Sequence, residues 1–393
     1  MSETGASAKA AFAARILGLV QSDIRRMSRE CDRAGGINLG QGICDQPAPD
    51  LIKEAAVSAI RADRSIYSKF EGIDPLRERI SRKVASYNQI RCDPDREVVV
   101  TVGSTGGFVA AALSLVDPGD EVILFSPFYG YHLNILKLCG ASLRFVTLHP
   151  PDWHFDPAEL SSAFGARTRA VVVNTPANPC GKVFTREELS AIASLCEKHG
   201  VLGITDEIYE YILYGEHRHV SLASLPGMED RTVTLSGFSK TYNMTGWRLG
   251  YAVGHASLME KIGLLNDLLY ICAPTPFQHA LVAAFDLPQS YYDGLREGYA
   301  LKLAMISAAC EEAGIRPLPP QGAYYLLADV SDLGAADDKE ASNLLLSQSG
   351  VATVPGSSFY ADPADGRTQV RICFAKEDSV LQEACRRISR LGR

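Results

Sequence analysis

The stretch "TLSGFSKTYNMTGWRLGY" runs from Thr234 to Tyr251. It begins and ends as β-strand and is polar between. "TVTLSG" (232–237) and "LGYAVG" (249–254) carry β-branched and apolar residues bounded by turn formers. The middle holds Lys240 among Ser, Gly and Thr, with Arg248 further along. A lysine is ordinarily a solvated surface charge. One placed at a strand tip, among hydroxyls and near a second cation, also suits a Schiff-base nucleophile beside a phosphate. The rest of the chain decides between these readings.

Upstream, the same kind of run recurs: "EVVVTVG" (97–103), "EVILFSP" (121–127), "SLRFVTL" (142–148), "RAVVVNTP" (169–176) and "VLGITDE" (201–207). Helix-patterned segments separate them, among them "GGFVAAALSLVD", "GYHLNILKLCG" and "TREELSAIASLCEKHG". The last opens on a capping box, Thr185 with Glu188, and stops at Gly200. Apolar runs joined by helices predict an α/β fold: a mainly parallel seven-stranded sheet covered by helices on both faces. After residue 285 the pattern changes. Helix-like "SYYDGLREGYALKLAMISAACEEAG" leads to "GAYYLLADV" and "TQVRICFA", which read as a smaller α+β domain. "INLGQGICD" has no place by pattern alone.

Composition narrows the function. Among 393 residues, 46% are hydrophobic and 22% charged, which is ordinary for a globular chain. The net charge of -7, with no basic block, argues against nucleic acid or a membrane surface as partner. Ten cysteines lie scattered with no CxxC pair, against a disulfide framework or zinc site and in keeping with a cytoplasmic location. "MSETGASAKAAFAARILGLV" reads as an alanine-rich helix rather than a signal peptide, and no apolar run is long enough to span a membrane.

In open α/β sheets, ligands bind beyond the carboxyl ends of the strands. Those ends carry "STGG", "FYGY", "ANPCGK", "DEIY" and "FSK". Each has an ordinary reading. Ser104 and Thr105 suit a helix N-cap, Asp206 a cap for the next segment, Asn178 a proline turn, and Tyr129 a buried aromatic. Together they form an inventory for one ligand, pyridoxal 5′-phosphate. Lys240 takes its aldehyde and Asp206 its ring nitrogen. Asn178 and Tyr209 take the phenolic oxygen, Tyr129 the ring face, and Ser104, Thr105 and Arg248 the phosphate.

With these residues in view, the chain resembles the class I aminotransferases of pyridoxal-phosphate fold type I, nearest the kynurenine, glutamine and broad-range aspartate-type branch. The resemblance rests on "GFSKTYNMTGWRLG", "YSKFEGIDPLRERI", "NTPANPCGK", "DEIY", "PQGAYYLL" and "GVATVPGSSF", in the family's order. It implies that Lys240 is the cofactor's covalent anchor and, with Asp206 and Tyr209, the catalytic set. Tyr67 would reach the phosphate of the other subunit of a homodimer with shared active sites. Arg371 would bind the substrate α-carboxylate, with Gly40 and Asn174 beside it. It also implies an N-terminal segment, 1–46, joining the small domain, a large domain 47–285 and a small C-terminal domain 286–393. Three positions depart from the family pattern. Gly237 stands where many members have Ser, which turns attention to Ser236 or Ser239 for the phosphate. Thr105 stands where kynurenine-type members have an aromatic. Ile271 and Cys272 stand where those members have an aromatic–His pair. The resemblance therefore does not carry kynurenine or glutamine specificity.

The reaction implied is a ping-pong transfer of an amino group from an L-amino acid to a 2-oxo acid. Two alternatives stay open on sequence: an eliminating β/γ-lyase on the same fold, and a non-catalytic sensor domain. For the side-chain pocket, Ile43, Cys44, Tyr129 and Phe359 are the expected walls. Arg25, Arg26 and Lys69 read as surface charges.

Overall fold

The computed structural model of the chain describes residues 13–16, 19 and 23–391. The alanine-rich N-terminal helix expected from the sequence falls largely outside the described residues. Seven strands form the central sheet: β1 (Val98–Thr101), β2 (Glu121–Ser126), β3 (Ser142–Thr147), β4 (Thr168–Asn174), β5 (Leu202–Asp206), β6 (Thr232–Gly237) and β7 (Gly250–Gly254). Each lies on one of the seven predicted runs. Their order across the sheet is β1-β7-β6-β5-β4-β2-β3. Neighbours β3–β2, β2–β4, β4–β5 and β5–β6 pair in parallel, whereas β7 runs against both β6 and β1.

The inner strands are buried on both faces, which explains their unbroken apolar runs. Val171 and Val173 of β4 pack into one core with Trp153, Phe184 and Ile192. Ala170 and Val172 face the other way, into a core with Phe108, Ala111 and Leu136. Burying each larger apolar side chain contributes about 1.5–3 kcal/mol. The edge strand β3 alternates in exposure and covers its outer face only in part. The helix Arg186–His199 starts on its capping box. Thr185 Oγ1 accepts from Glu188 N at 3.2 Å, and Glu188 Oε2 accepts from Thr185 N at 2.8 Å. It ends where Gly200 turns left-handed at φ 68°.

Beyond the 24-residue helix Gln289–Glu312, Arg316–Leu318, Tyr325–Asp329, Val354–Pro355 and Gln369–Cys373 form an antiparallel four-stranded sheet. The segment that pattern alone could not place is tied here too: Ile37–Asn38 pairs in parallel with Val351–Ala352. Its onward chain, Gly40 to Gly42, then passes the carboxyl edge of the central sheet. Among the described residues no helix is long and apolar enough to cross a membrane, and all ten cysteines are unpaired.

Candidate active site

The carboxyl ends of β1, β2, β4, β5 and β6 converge on one cavity of about 470 Å³. Strand β7 is antiparallel, so its amino end lies at the same edge and brings Arg248 there. Of the residues named from sequence, Ser104, Thr105, Tyr129, Asn174, Asn178, Asp206, Tyr209, Ser239, Lys240, Arg248 and Arg371 all line this cavity. Gly40 lies behind it as a carbonyl acceptor. Tyr67 is not a lining residue and is 75% exposed. Ser236, the other serine considered near Lys240, is buried and donates to Glu210 at 2.9 Å, which leaves Ser239 as the one at the cavity.

At one end, the helix Gly103–Leu115 points its amino terminus inward. Its unpaired N–H groups favour an anion. Two glycines allow the close packing there. A Cβ on Gly250 would lie 2.6 Å from Ser104 N, and one on Gly103 would lie 2.7 Å from the Arg248 guanidinium. Arg248 itself is held left-handed at φ 58°, a conformation that a non-glycine residue adopts at a cost. Its Nη1 donates to Thr245 O at 3.0 Å.

In the middle, Lys240 Nζ donates to Gly42 O at 3.2 Å. Burial disfavours its charged form and lowers its pKa from 10.5 to about 8. Asp206, buried at the tip of β5, meets His132 Nε2 at 2.9 Å. The next residue, Glu207, anchors the turn from within. It accepts from Ser221 at 2.6 Å and Asn88 at 3.1 Å, and meets His219 at 2.8 Å. Tyr209 and Tyr325 share a hydroxyl–hydroxyl bond of 3.1 Å. Burial pushes the Tyr209 pKa well up and the Tyr325 pKa to about 12, so both stay protonated donors at neutral pH.

At the other end, Arg371 is buried at 1% exposure and has no acidic partner among the described residues. Its Nη1 donates to Asn178 Oδ1 at 2.8 Å and its Nη2 to Gly40 O at 2.7 Å. Its Nε has no hydrogen-bond partner among the described residues. The guanidinium lies between the rings of Tyr325 and Phe359, 4.3 and 4.7 Å from their centroids. Asn174 braces the neighbouring turn by accepting from Asn178 N at 2.8 Å. A buried cation without a counter-charge is costly, so this geometry fits an anionic ligand.

Sequence reasoning missed several participants. His132 sits one helical turn after Tyr129, a spacing that offered the signal. Tyr325 stands in "GAYYLL", quoted for its pattern without a role. Of the expected pocket walls, Ile43 and Tyr129 line the cavity. Cys44 does not: its thiol points to Asn243 Oδ1 at 3.0 Å and receives the Tyr299 hydroxyl at 3.5 Å. Phe359 backs Arg371 instead. Arg26 pairs with Asp23 and Lys69 with Asp74, whereas Arg25 lines the cavity.

Gly42 is a sharp test of this packing. A Cβ there would lie 1.8 Å from the Tyr325 hydroxyl. Gly42→Ala should force Tyr325 off Tyr209 and disturb the carbonyl that holds Lys240. The expected stability loss is about 1–3 kcal/mol, with a larger proportional loss of activity. Denaturant melts and steady-state rates on one preparation check it, and an unaffected rate would contradict the packing.

The comparisons with known proteins agree with one another. Residues 34–388 match the family model of class I and II aminotransferases. Kynurenine–oxoglutarate transaminase 3 of Rattus norvegicus is 36% identical over 402 residues, covering 95% of this chain and 88% of that protein. The probable N-succinyldiaminopimelate aminotransferase DapC of Mycobacterium tuberculosis H37Rv is 36% identical over 377 residues, covering 93% and 95%. The solved structure of the N-succinyldiaminopimelate aminotransferase from Mycobacterium tuberculosis superposes with a TM-score of 0.93 at 35% identity, covering 96% and 99%. YbdL of Escherichia coli, described with a methionine aminotransferase function, gives 0.92 at 32% identity, covering 97% and 99%. The chain belongs to the class I and II aminotransferases. It is an enzyme of amino-group transfer between an amino acid and a 2-oxo acid, and the lyase alternative is not favoured. Its family and fold imply dependence on pyridoxal phosphate.

Proposed function

We propose that the cavity binds pyridoxal 5′-phosphate through Lys240 and runs a ping-pong transamination. The observation that carries this reading is the pairing of a buried, uncompensated Arg371 with a half-buried, easily deprotonated Lys240 in one cavity. Asp206 would face the ring nitrogen, with Asn178 and Tyr209 at the phenolic oxygen and Tyr129 against the ring face. Ser104, Thr105, Ser239 and Arg248 would hold the phosphate. When bound, the cofactor supplies an electron sink for the charge left at the substrate Cα. Arg371, steadied by Gly40 and Asn178 with Asn174 alongside, grips the α-carboxylate and sets the direction of the Cα–H bond. Lys240 Nζ takes the Cα proton. A pKa of about 8 leaves roughly a tenth of the amine neutral at pH 7, far more than for an ordinary lysine. Asp206 would be held toward the ring nitrogen by its 2.9 Å contact with His132 Nε2.

The donor side chain would lie against Ile24, Ile43, Tyr129 and Tyr131. Neutral, medium-to-large amino acids gain by burial there, whereas a second carboxylate is desolvated. Methionine, leucine and phenylalanine should therefore exceed aspartate in kcat/KM by about tenfold or more. Mixing the pyridoxal form with each amino acid and following the cofactor absorbance tests both the cofactor and the preference. No absorbance change with any amino acid would sink the reading. A faster reaction with aspartate would point to Arg25 as the reader of the distal carboxylate.

A cytoplasmic homodimer with shared sites completes the proposal. Ten unpaired cysteines suit a reducing compartment. Ile66 and Tyr67 are exposed, and a few residues on, the chain is tied to the helix Ala256–Tyr270 by Asn266, which donates to Phe70 O at 3.2 Å. Leu268 on that helix is 72% exposed, and Leu264, Leu269 and Ile271 are exposed beside it. An apolar patch of this kind suits a partner surface. Sedimentation at low concentration should show a dimer and no active monomer. A fully active monomer would leave Tyr67 without the proposed work.

A further inference from the structure

A second cavity, also about 470 Å³, lies between the helix Asp74–Ser86, the chain after β5 and the start of the helix Gln289–Glu312. It shares no lining residue with the active site. Four cations line it: Arg79, Arg82 and Lys83 from the first helix and Arg296 from the last. No lining residue is acidic.

These cations differ in how they are engaged. Lys83 is half-buried and committed to Glu210 at 2.5 Å. Arg79 pairs with Asp286 at 2.9 Å. Arg82 has only a 3.4 Å pair with Glu78 on its own helix, with both side chains exposed. Exposed pairs of this type contribute little and exchange readily. Arg296 has no ion pair among the described residues. Two guanidinium groups can therefore turn to an incoming anion at small cost, and their planar forks match a carboxylate or phosphate.

The wall between them is aromatic. Tyr87 and Tyr211 stack with centroids 4.4 Å apart, and Tyr211 meets Tyr292 at 4.7 Å. Their flat faces offer contact area at low entropic cost. The Tyr292 hydroxyl bonds that of Tyr242 at 2.9 Å, and Tyr291 donates to Thr241 O at 2.6 Å. An occupant would thus touch Tyr292, one hydrogen bond away from Tyr242 in the loop that carries Lys240.

We propose that this cavity is a second ligand site, for a small planar organic anion whose ring packs against the wall formed by Tyr87, Tyr211 and Tyr292 and whose anionic head meets Arg82 and Arg296. Calorimetric titration of the cofactor-loaded enzyme with indole-3-acetate, a planar carboxylate, tests it. Binding should persist in Arg371→Leu, whose active-site clamp is gone. It should weaken by about tenfold or more when Arg82→Glu and Arg296→Glu are combined. The transamination rate of the doubly changed enzyme without the probe should move by less than about twofold, since neither residue lines the active site. Arg82→Ala alone, at an exposed position, guards against a misfolded double variant and should also weaken binding. Binding that disappears in Arg371→Leu, survives charge reversal unchanged, or is absent from the wild type would overturn the proposal.

Discussion

Lys240→Ala lowers kcat for transamination by about four orders of magnitude or more, because one change removes both the covalent anchor and the base. The fold should survive it. Lys240 Nζ makes one hydrogen bond, to Gly42 O, and no ion pair among the described residues. The effect on stability has a definite sign. Burial lowers the folded-state pKa from 10.5 to about 8, so the unfolded chain binds more protons between those values. Stability of the cofactor-free protein therefore rises as pH climbs through that window, and below about pH 8 the charged amine is a burden on the order of 3 kcal/mol. Removing it offsets the packing that alanine loses. The cofactor-free variant should then melt no lower than the wild type at pH 7. Steady-state rates and thermal melts of paired preparations check both parts. Multiple turnover within a hundredfold of wild type, on the order of 3 kcal/mol in barrier, would refute the role of Lys240.

Asp206→Asn is the second large effect: about a thousandfold loss in kcat, on the order of 4 kcal/mol. The amide has the same shape and can still meet His132 Nε2, now 2.9 Å away. What it lacks is the negative charge, and a neutral group there cannot favour a protonated ring nitrogen. The site is buried, so water cannot replace the missing charge. Near-normal turnover in the variant would remove Asp206 from the mechanism. A matching loss of cofactor affinity, read by titration of the cofactor-free protein, would separate binding from chemistry.

The parallel core was open to inspection in the sequence because its inner strands are apolar on both faces. Seven runs led to seven strands, and the polar tips that follow five of them meet at one cavity. The direction of β7 was not open. "LGYAVG" has the same composition whichever way it runs, and only the partner strands decide it. Side-chain aim was hidden as well. Cys44 and Ile43 are adjacent, yet one faces Tyr299 and the other the cavity. His132 and Tyr325 act through hydrogen bonds to residues distant in the chain, with separations of 74 and 116 residues, which no local pattern encodes. The pairing of Ile37–Asn38 with Val351–Ala352 is of the same non-local kind.

That pairing bears on how the protein comes into being. Gly40, whose carbonyl holds Arg371, precedes it by 331 residues. At about 5–20 residues per second, a ribosome needs roughly 15–65 s to make the intervening chain. Throughout that time the strip from Ile37 to Gly42 has emerged without the strand it pairs with or the arginine it supports. The central sheet, by contrast, has all seven of its strands once Gly254 is out. Synthesis therefore passes through a stage in which the scaffold can assemble while the amino terminus still awaits its partner. A message truncated shortly before Val351 would yield a chain with the sheet intact and the substrate clamp never built.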